Sequence, residues 1–188
     1  MDELTTPEGF LLRPWEPADA SAVLRAFAPA EMDRQTDRPV FDRPGALAWI
    51  ADRTRERGAH TGYSWAVVGE AGEALGCVAV GAVNRTHDTG WVSYWTKEEA
   101  RGRGVAPAGV RALARWAFDE LGLYRLELGH RTDNPASCRV ATRSGFAPEG
   151  IERARLRYGD VRYDVERHAR LADDDVNFDR REGGVNVG

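Results

Sequence analysis

Hydrophobic positions recur with two different periods along this chain, and the changeovers mark its elements. A strand-like stretch over 10–15 is stopped by Pro14 and Pro17. Ala20, Val23, Leu24 and Phe27 then fall at i, i+3, i+4 and i+7, which predicts a helix over 18–28. Leu47, Ile50, Ala51 and Thr54 share one side of a second helix over 46–57, with Gly58 after it. Between the two, residues 31–44 are polar and proline-punctuated and read as a surface loop, longer than a plain connection needs.

The pattern then changes to strand. Runs over 63–68, 75–84 and 89–96 are rich in valine and aromatics, and the turn-like segments between them are short, which predicts an antiparallel meander. A third helix places Val110, Leu113, Ala114, Ala117 and Leu121 on one apolar face, with Gly122 as a C-cap candidate. Residues 124–128 alternate as a strand. The order strand, helix, strand makes 89–96 and 124–128 parallel neighbours. Asn134-Pro135-x-Ser137 starts a short helix: Asn134 can cap, and Pro135 suits the first helical position. Ser144-Gly145 stops it, and Phe146 opens the next strand. Runs over 151–156 and 161–169 flank Tyr158-Gly159-Asp160 as a hairpin. Residues 1–8 read as a loose leader, 9–171 as one domain, and 172–188 as a mobile tail without periodicity.

Composition narrows the class of function. Of 188 residues, 42% are hydrophobic and 30% charged, the balance of a soluble globular domain. Net charge is −4 and the arginines are interspersed with acids, so no nucleic-acid partner is expected. The acidic N-terminus has no apolar core of a signal peptide, and the longest apolar run, over 77–83, is too short to span a bilayer. No membrane partner is expected either. The two cysteines, Cys77 and Cys138, make neither a disulfide framework nor a zinc spacing. No metal is expected, and the reading places the chain in a reducing cytoplasm. Cys77, in an apolar strand, reads as core, as do Trp15, Trp49, Trp65 and Trp116.

The candidate chemistry lies at 96–118. A strand ending in Tyr94-Trp95-Thr96 runs through a charged elbow into Arg101-Gly102-Arg103-Gly104-Val105-Ala106, and a helix starts there. The first amides of a helix have no partners inside it and carry the positive end of its dipole. Gly102 and Gly104 let a ligand approach the backbone closely. Such a turn suits a diphosphate, although it reads equally as an arginine-rich surface turn. It matches neither the G-x-x-x-x-G-K-[ST] nor the G-x-G-x-x-G phosphate motif.

Arg101-x-x-Gly104-x-Ala106 after an aromatic strand resembles the pyrophosphate loop of the GNAT N-acetyltransferase superfamily. Within it the chain is similar to the RimJ/RimL branch, through Leu12-Arg13-Pro14-Trp15, Tyr94-Trp95, Asn134-Pro135-Ala136-Ser137, Arg139-Val140-Ala141 and Ser144-Gly145-Phe146 with Glu149-Gly150. The resemblance covers roughly 10–171. It implies an α+β fold whose mixed central sheet is splayed at the parallel strand pair, with helices on both faces. It implies acetyl-CoA as cosubstrate and direct attack by a primary amine, from a protein N-terminus or a small molecule, in a ternary complex. The amides of Gly102, Arg103, Gly104, Val105 and Ala106 would hold the pyrophosphate, with Arg101 and Arg103 adding charge. The pantetheine arm would enter the gap beside Trp95 and Thr96 and meet Asn134. Ser137 would stand near the sulfur and protonate the departing thiolate. Tyr94 and Ser93 are expected along the acceptor cleft.

The chain departs from the family at the base. Relatives often read Glu-x-Gly-Tyr-Trp where this chain reads Trp91-Val92-Ser93-Tyr94-Trp95. Tryptophan accepts no proton, so the base stays unassigned among Asp88, Glu98, the neighbouring Glu99 and His130, or deprotonation runs through water. That departure leaves a catalytically silent acyl-CoA-binding module as an alternative, and a nucleotide site unrelated to CoA as a weaker one. Arg155 and Arg157 suggest a further variant in which the acyl group is acidic, such as succinyl. A homodimer is one assembly the reading allows. Gly109, inside the third helix, is expected to cost about 0.5–1 kcal/mol relative to alanine.

Overall fold

The computed structural model describes residues 3–29, 32 and 38–174. In chain order they form β1 (Leu4–Thr5), β2 (Leu11–Arg13), α1 (Ala20–Ala26), α2 (Arg43–Gly58), β3 (Tyr63–Val68), β4 (Ala74–Asn84), β5 (Thr89–Thr96), α3 (Val105–Asp119), β6 (Arg125–Arg131), α4 (Pro135–Arg143), β7 (Ala147–Tyr158) and β8 (Val161–Leu171). The strands make one sheet in the order β1-β2-β3-β4-β5-β6-β8-β7. Every neighbouring pair is antiparallel except β5–β6, which is parallel, as a strand–helix–strand crossover requires.

Each face of the sheet buries its own apolar cluster. Trp65, Val78, Val80, Val110, Leu113, Ala114 and Leu126 pack under α3 on one side. Trp15, Val23, Phe27, Trp49 and Ile50 pack under α1 and α2 on the other. The expected layering, helices on both faces of a mixed sheet, is present. Trp15, Trp49, Trp65 and Trp116 are at most 7% exposed and belong to these cores. Cys77 is buried too, and burial pushes its thiol up to about 12.

Several boundaries differ from the periodicity reading. Leu4–Thr5, inside the segment expected as a loose leader, pairs with Leu11–Leu12 because a backbone turn, Gly9 N to Thr6 O at 3.0 Å, folds it back. The helix expected over 46–57 starts at Arg43. Asp42 caps it by accepting from Gly45 N at 2.8 Å, and Pro44 sits in the first turn, where a missing N–H costs nothing. The loop expected over 31–44 lies partly outside the described residues; its end is helical and Val40 is buried. α1 is shorter than expected because Pro17–Asp19 forms a 3-10 turn before it.

The two expected strands after Phe146 are one strand, β7, kinked by two register shifts and by Ala154 at φ +53°. β8 lies between β6 and β7. The segment expected as a mobile tail begins anchored: Ala172 N donates to Tyr124 O at 2.9 Å, and Tyr124 Oη donates to the Asp173 carboxylate at 3.0 Å. Residues 175–188 lie outside the described part.

Candidate active site

The parallel pair β5–β6 comes apart. Register runs Thr89↔Arg125, Gly90↔Leu126 and Trp91↔Glu127, and then stops. Val92–Thr96 stays paired to β4 on its other edge, while Leu128–Arg131 stays paired to β8. A wedge therefore opens between the two strands, and backbone groups on both sides lack a ladder partner. Lys97 N donates to Leu75 O at 2.9 Å, so by alternation the amides of Tyr94 and Thr96 face away from β4, into the wedge.

A cleft of about 630 Å³ occupies this place. Its lining includes ten of the residues expected from sequence: Tyr94, Trp95, Thr96, Arg101, Gly102, Gly104, Val105, Ala106, Asn134 and Ser137. Four elements meet there. β5 supplies the first three and α4 the last two with its cap. Between them, the turn from Arg101 leads into α3. Gly102 and Gly104 both adopt left-handed backbone, at φ +77° and +79°, which is what glycine contributes to this turn. Residues 101–104 form a turn, and Gly104 stands at the N-cap of α3 with no side chain to cap it. The amides of this turn and the helix dipole make an anion site. Pro107 removes one helix donor, leaving the approach to the loop amides.

On the opposite wall Asn134 caps α4. Its Oδ1 accepts from Ser137 N at 3.1 Å, so its Nδ2 amide remains to donate into the cleft. Tyr94 Oη donates to Ser137 O at 3.2 Å, which ties α4 to β5 across the wedge. Burial pushes the Tyr94 phenol above its ordinary value, so it remains a donor. Tyr94 lies on the α3 face, while Trp95 packs on the opposite face against Trp15 and Phe27, at ring separations of 5.6 and 5.8 Å.

The weak base candidates do not gather here. Asp88 stands at the far end of β5, about 25 Å along the strand from Thr96. Its carbonyl accepts from Tyr124 N and Arg125 N, so it closes the start of β6. Glu98, exposed, opens a 3-10 turn and is outside the cleft lining, and Glu99 pairs with Lys97 Nζ at 3.2 Å. His130 lies inside β6, because that strand runs on to Arg131; it is buried beside His168 and not in the cleft. Arg103 and Ser93 are exposed and outside the cleft lining. Trp91, the last residue paired to β6, lies against the Arg167 guanidinium at 4.4 Å. Arg155 pairs with Glu152, and Arg157 with Asp160 and the Gly159 carbonyl, so both serve the hairpin.

Sequence reading missed Arg131, Asp133, Arg139 and Arg143, which all line the cleft. Arg139 and Arg143 are spaced i, i+4 on α4, so their common side was readable; that this side borders the loop was not. Asp133 is held ionised, below the ordinary carboxylate value, by its hydrogen bond to Arg131. It is the carboxylate among the described cleft-lining residues.

Comparison with known proteins follows this geometry. Residues 10–147 match the family model of the acetyltransferase (GNAT) domain. A ribosomal-protein-serine acetyltransferase of Escherichia coli is 30% identical over 101 residues, 54% of this chain and 56% of that protein. A probable N-acetyltransferase of Bacillus subtilis, YjcK, is 34% identical over 87 residues, 46% of this chain and 48% of that protein. The chain thus spans about half the length of the curated relatives it matches. Among solved structures, RimL, a ribosomal L7/L12 α-N-protein acetyltransferase in complex with coenzyme A, superposes with TM-score 0.80 at 19% identity, covering 90% of this chain and 98% of that one. Among the described residues no helix is long and apolar enough to cross a membrane. With most of the domain matched and the parted strands in place, the chain belongs to the GNAT acetyltransferase family.

Proposed function

We propose that this chain moves an acetyl group from acetyl-CoA to the α-amine of a protein N-terminus. The observation that carries the reading is the wedge between β5 and β6, opening beside the glycine turn and the uncapped N-terminus of α3. A diphosphate meets the amides of Gly102 to Ala106, with Arg101, Arg139 and Arg143 around it. The pantetheine arm pairs with the free edge of β5 as an added strand would, and the Asn134 Nδ2 amide donates to it. In the ternary complex the amine lone pair attacks the thioester carbonyl carbon. The Thr96 amide receives the oxyanion, the intermediate collapses, and the C–S bond breaks. The Ser137 hydroxyl protonates the departing sulfur and takes a proton back from solvent. The amine's extra proton leaves to water.

The choice of α-amine follows from the described residues, among which no unengaged carboxylate lines the cleft. Asp133, the carboxylate among the described cleft-lining residues, is engaged by Arg131, which suits an acceptor that arrives neutral. Near pH 7.4 about a quarter of α-amines are neutral, against about one lysine side chain in a thousand. The ribosomal-protein acetyltransferase relatives fit this acceptor class. Two free thiols fit work in a reducing cytoplasm.

Trp91, in place of an acid, favours a second reading: an acyl-CoA-binding module without turnover. Thiol release from acetyl-CoA, followed over N-terminal peptides and small amines, decides between them. Turnover on peptides with a free α-amine, falling when that amine is blocked, is expected. Tight CoA binding with no thiol release on any amine would leave the silent module standing. Gly104→Val, which puts a branched side chain at φ +79° over the amides, is expected to weaken CoA binding at least about tenfold by calorimetry. Unchanged affinity there removes the diphosphate assignment.

A further inference from the structure

Behind the N-terminus of α4, on the face of the sheet that α3 covers, four side chains converge. His130 comes from β6, Cys138 from α4, and Glu166 and His168 from β8. One ligand atom from each lies within 4.8 Å of all the others. His130 Nε2 and His168 Nε2 are 3.1 Å apart, and each is 3.3 Å from Glu166 Oε2.

The outer nitrogens settle what those atoms are. His130 Nδ1 faces the Arg131 carbonyl at 2.9 Å, and His168 Nδ1 faces the Phe146 carbonyl at 3.2 Å. A carbonyl oxygen only accepts, so both Nδ1 atoms carry the proton. In the neutral rings both Nε2 atoms then present lone pairs, to each other and to a carboxylate oxygen. Three acceptors close on one point; the donor beside them is the Cys138 thiol, a weak one engaged with Glu166. A single S–H cannot serve all three, so a cation suits the centre.

The triangle has the dimensions of a zinc site. Zinc holds nitrogen and oxygen ligands at about 2.0–2.1 Å, so in a tetrahedron they stand about 3.3 Å from one another. Histidines whose second nitrogen donates to a backbone carbonyl are the usual outer shell of such ligands. Cys138 supplies a fourth, softer ligand. Its half-exposed position on the first turn of α4 lets the sulfur close the last ångström or so.

We propose that His130, Cys138, Glu166 and His168 form a four-ligand site for a divalent transition-metal ion, with zinc as the ion to try first. Both imidazoles are buried, His130 8% and His168 1% exposed, while Glu166 and Cys138 reach solvent and give the ion its entry. On binding, the Cys138 thiol gives its proton to solvent and two neutral imidazoles, one carboxylate and one thiolate close the shell. Four protein ligands leave no open position, so the ion is structural and takes no part in acyl transfer. It clamps β6, β8 and α4, the last of which carries Asn134 and Ser137. The expectation of no metal came from sequence spacing; here the ligands come from three elements, and only the fold assembles them.

The test uses the full chain with Zn²⁺ as the probe. After chelator treatment and dialysis, calorimetry is expected to show one Zn²⁺ per chain, and zinc is expected to raise the melting temperature reversibly. Co²⁺ is expected to give a thiolate charge-transfer band that Cys138→Ser removes and Cys77→Ala leaves. Cys138→Ser and Glu166→Gln are each expected to weaken Zn²⁺ binding at least about tenfold. Both side chains are partly exposed, so these variants fold even where a change at buried His168 does not. No zinc uptake by the parent chain, or uptake unchanged in the double variant, overturns the proposal. The first result would leave a proton, shared within an imidazolium pair, as the positive charge at the centre.

Discussion

Gly109 shows how a single residue can read one way in sequence and the opposite way in the fold. By helix propensity it is a defect costing about 1 kcal/mol against alanine. A Cβ built there, however, would stand 2.9 Å from Val78 Cγ1 and 3.0 Å from Val67 Cγ2. Both valines are stiff strand residues that are fully buried, so neither can swing aside. Gly109→Ala is therefore expected to destabilise by about 1–3 kcal/mol in urea unfolding, against the sign that propensity gives. A stabilised variant would show that α3 lifts off the sheet at no cost. The loop residues were legible at this scale because a glycine turn before a helix carries its chemistry in the backbone. The base was not. Where a side chain points, and which arginine already holds it, depends on the fold: Asp133 is taken by Arg131 two residues before it, and Trp91 by Arg167 from far along the chain.

Among the elements, α4 is the one whose cap does double duty. Asn134 spends Oδ1 on Ser137 N and keeps its amide nitrogen for the cleft. The two roles separate in Asn134→Asp. Aspartate caps as well as asparagine, so the melting temperature is expected to hold within a degree or two. The donor is lost and a negative charge faces the arm, so the Michaelis constant for acetyl-CoA is expected to rise at least about tenfold in steady-state assays. A parallel fall in stability and affinity would instead mean that the cap alone matters.

Elements whose limits come from local chemistry were read closely. β3 and β5 end where the runs rich in valine and aromatics end, and α4 starts at its own cap. Those limited by distant partners were not. β6 continues through Gly129-His130-Arg131 because β8 pairs with it, and β8 is more than thirty residues away in sequence. α2 begins at Arg43 although Pro44 and Gly45 look like loop, since one carboxylate, Asp42, satisfies the first turn.

For the molecule as a whole, burial of ionisable groups sets the alkaline limit. Cys77, inside the sheet beneath α1 and α2, has its thiol raised from 9.0 to about 12 by desolvation. The folded chain therefore binds a proton that the unfolded chain gives up. Its stabilisation is complete below pH 9 and is lost as pH rises toward 12, on the order of 4 kcal/mol across that window. The half-buried Tyr94 phenol, also raised by desolvation, acts in the same direction. Cys77→Ala is expected to flatten the decline in urea-unfolding free energy between pH 9 and 11. An unaltered slope would assign the alkaline limit elsewhere.

The parting of β5 from β6 bears on how long the protein lasts. Most sheets leave bare edges only at their rims, whereas this one carries an open seam through its middle. Whatever fills that seam completes the sheet, so amide exchange at Tyr94 and Thr96 is expected to slow sharply once CoA is added. Digestion by a protease should slow with it. With the proposed cosubstrate as that filler, the lifetime of the chain would then follow that molecule's abundance.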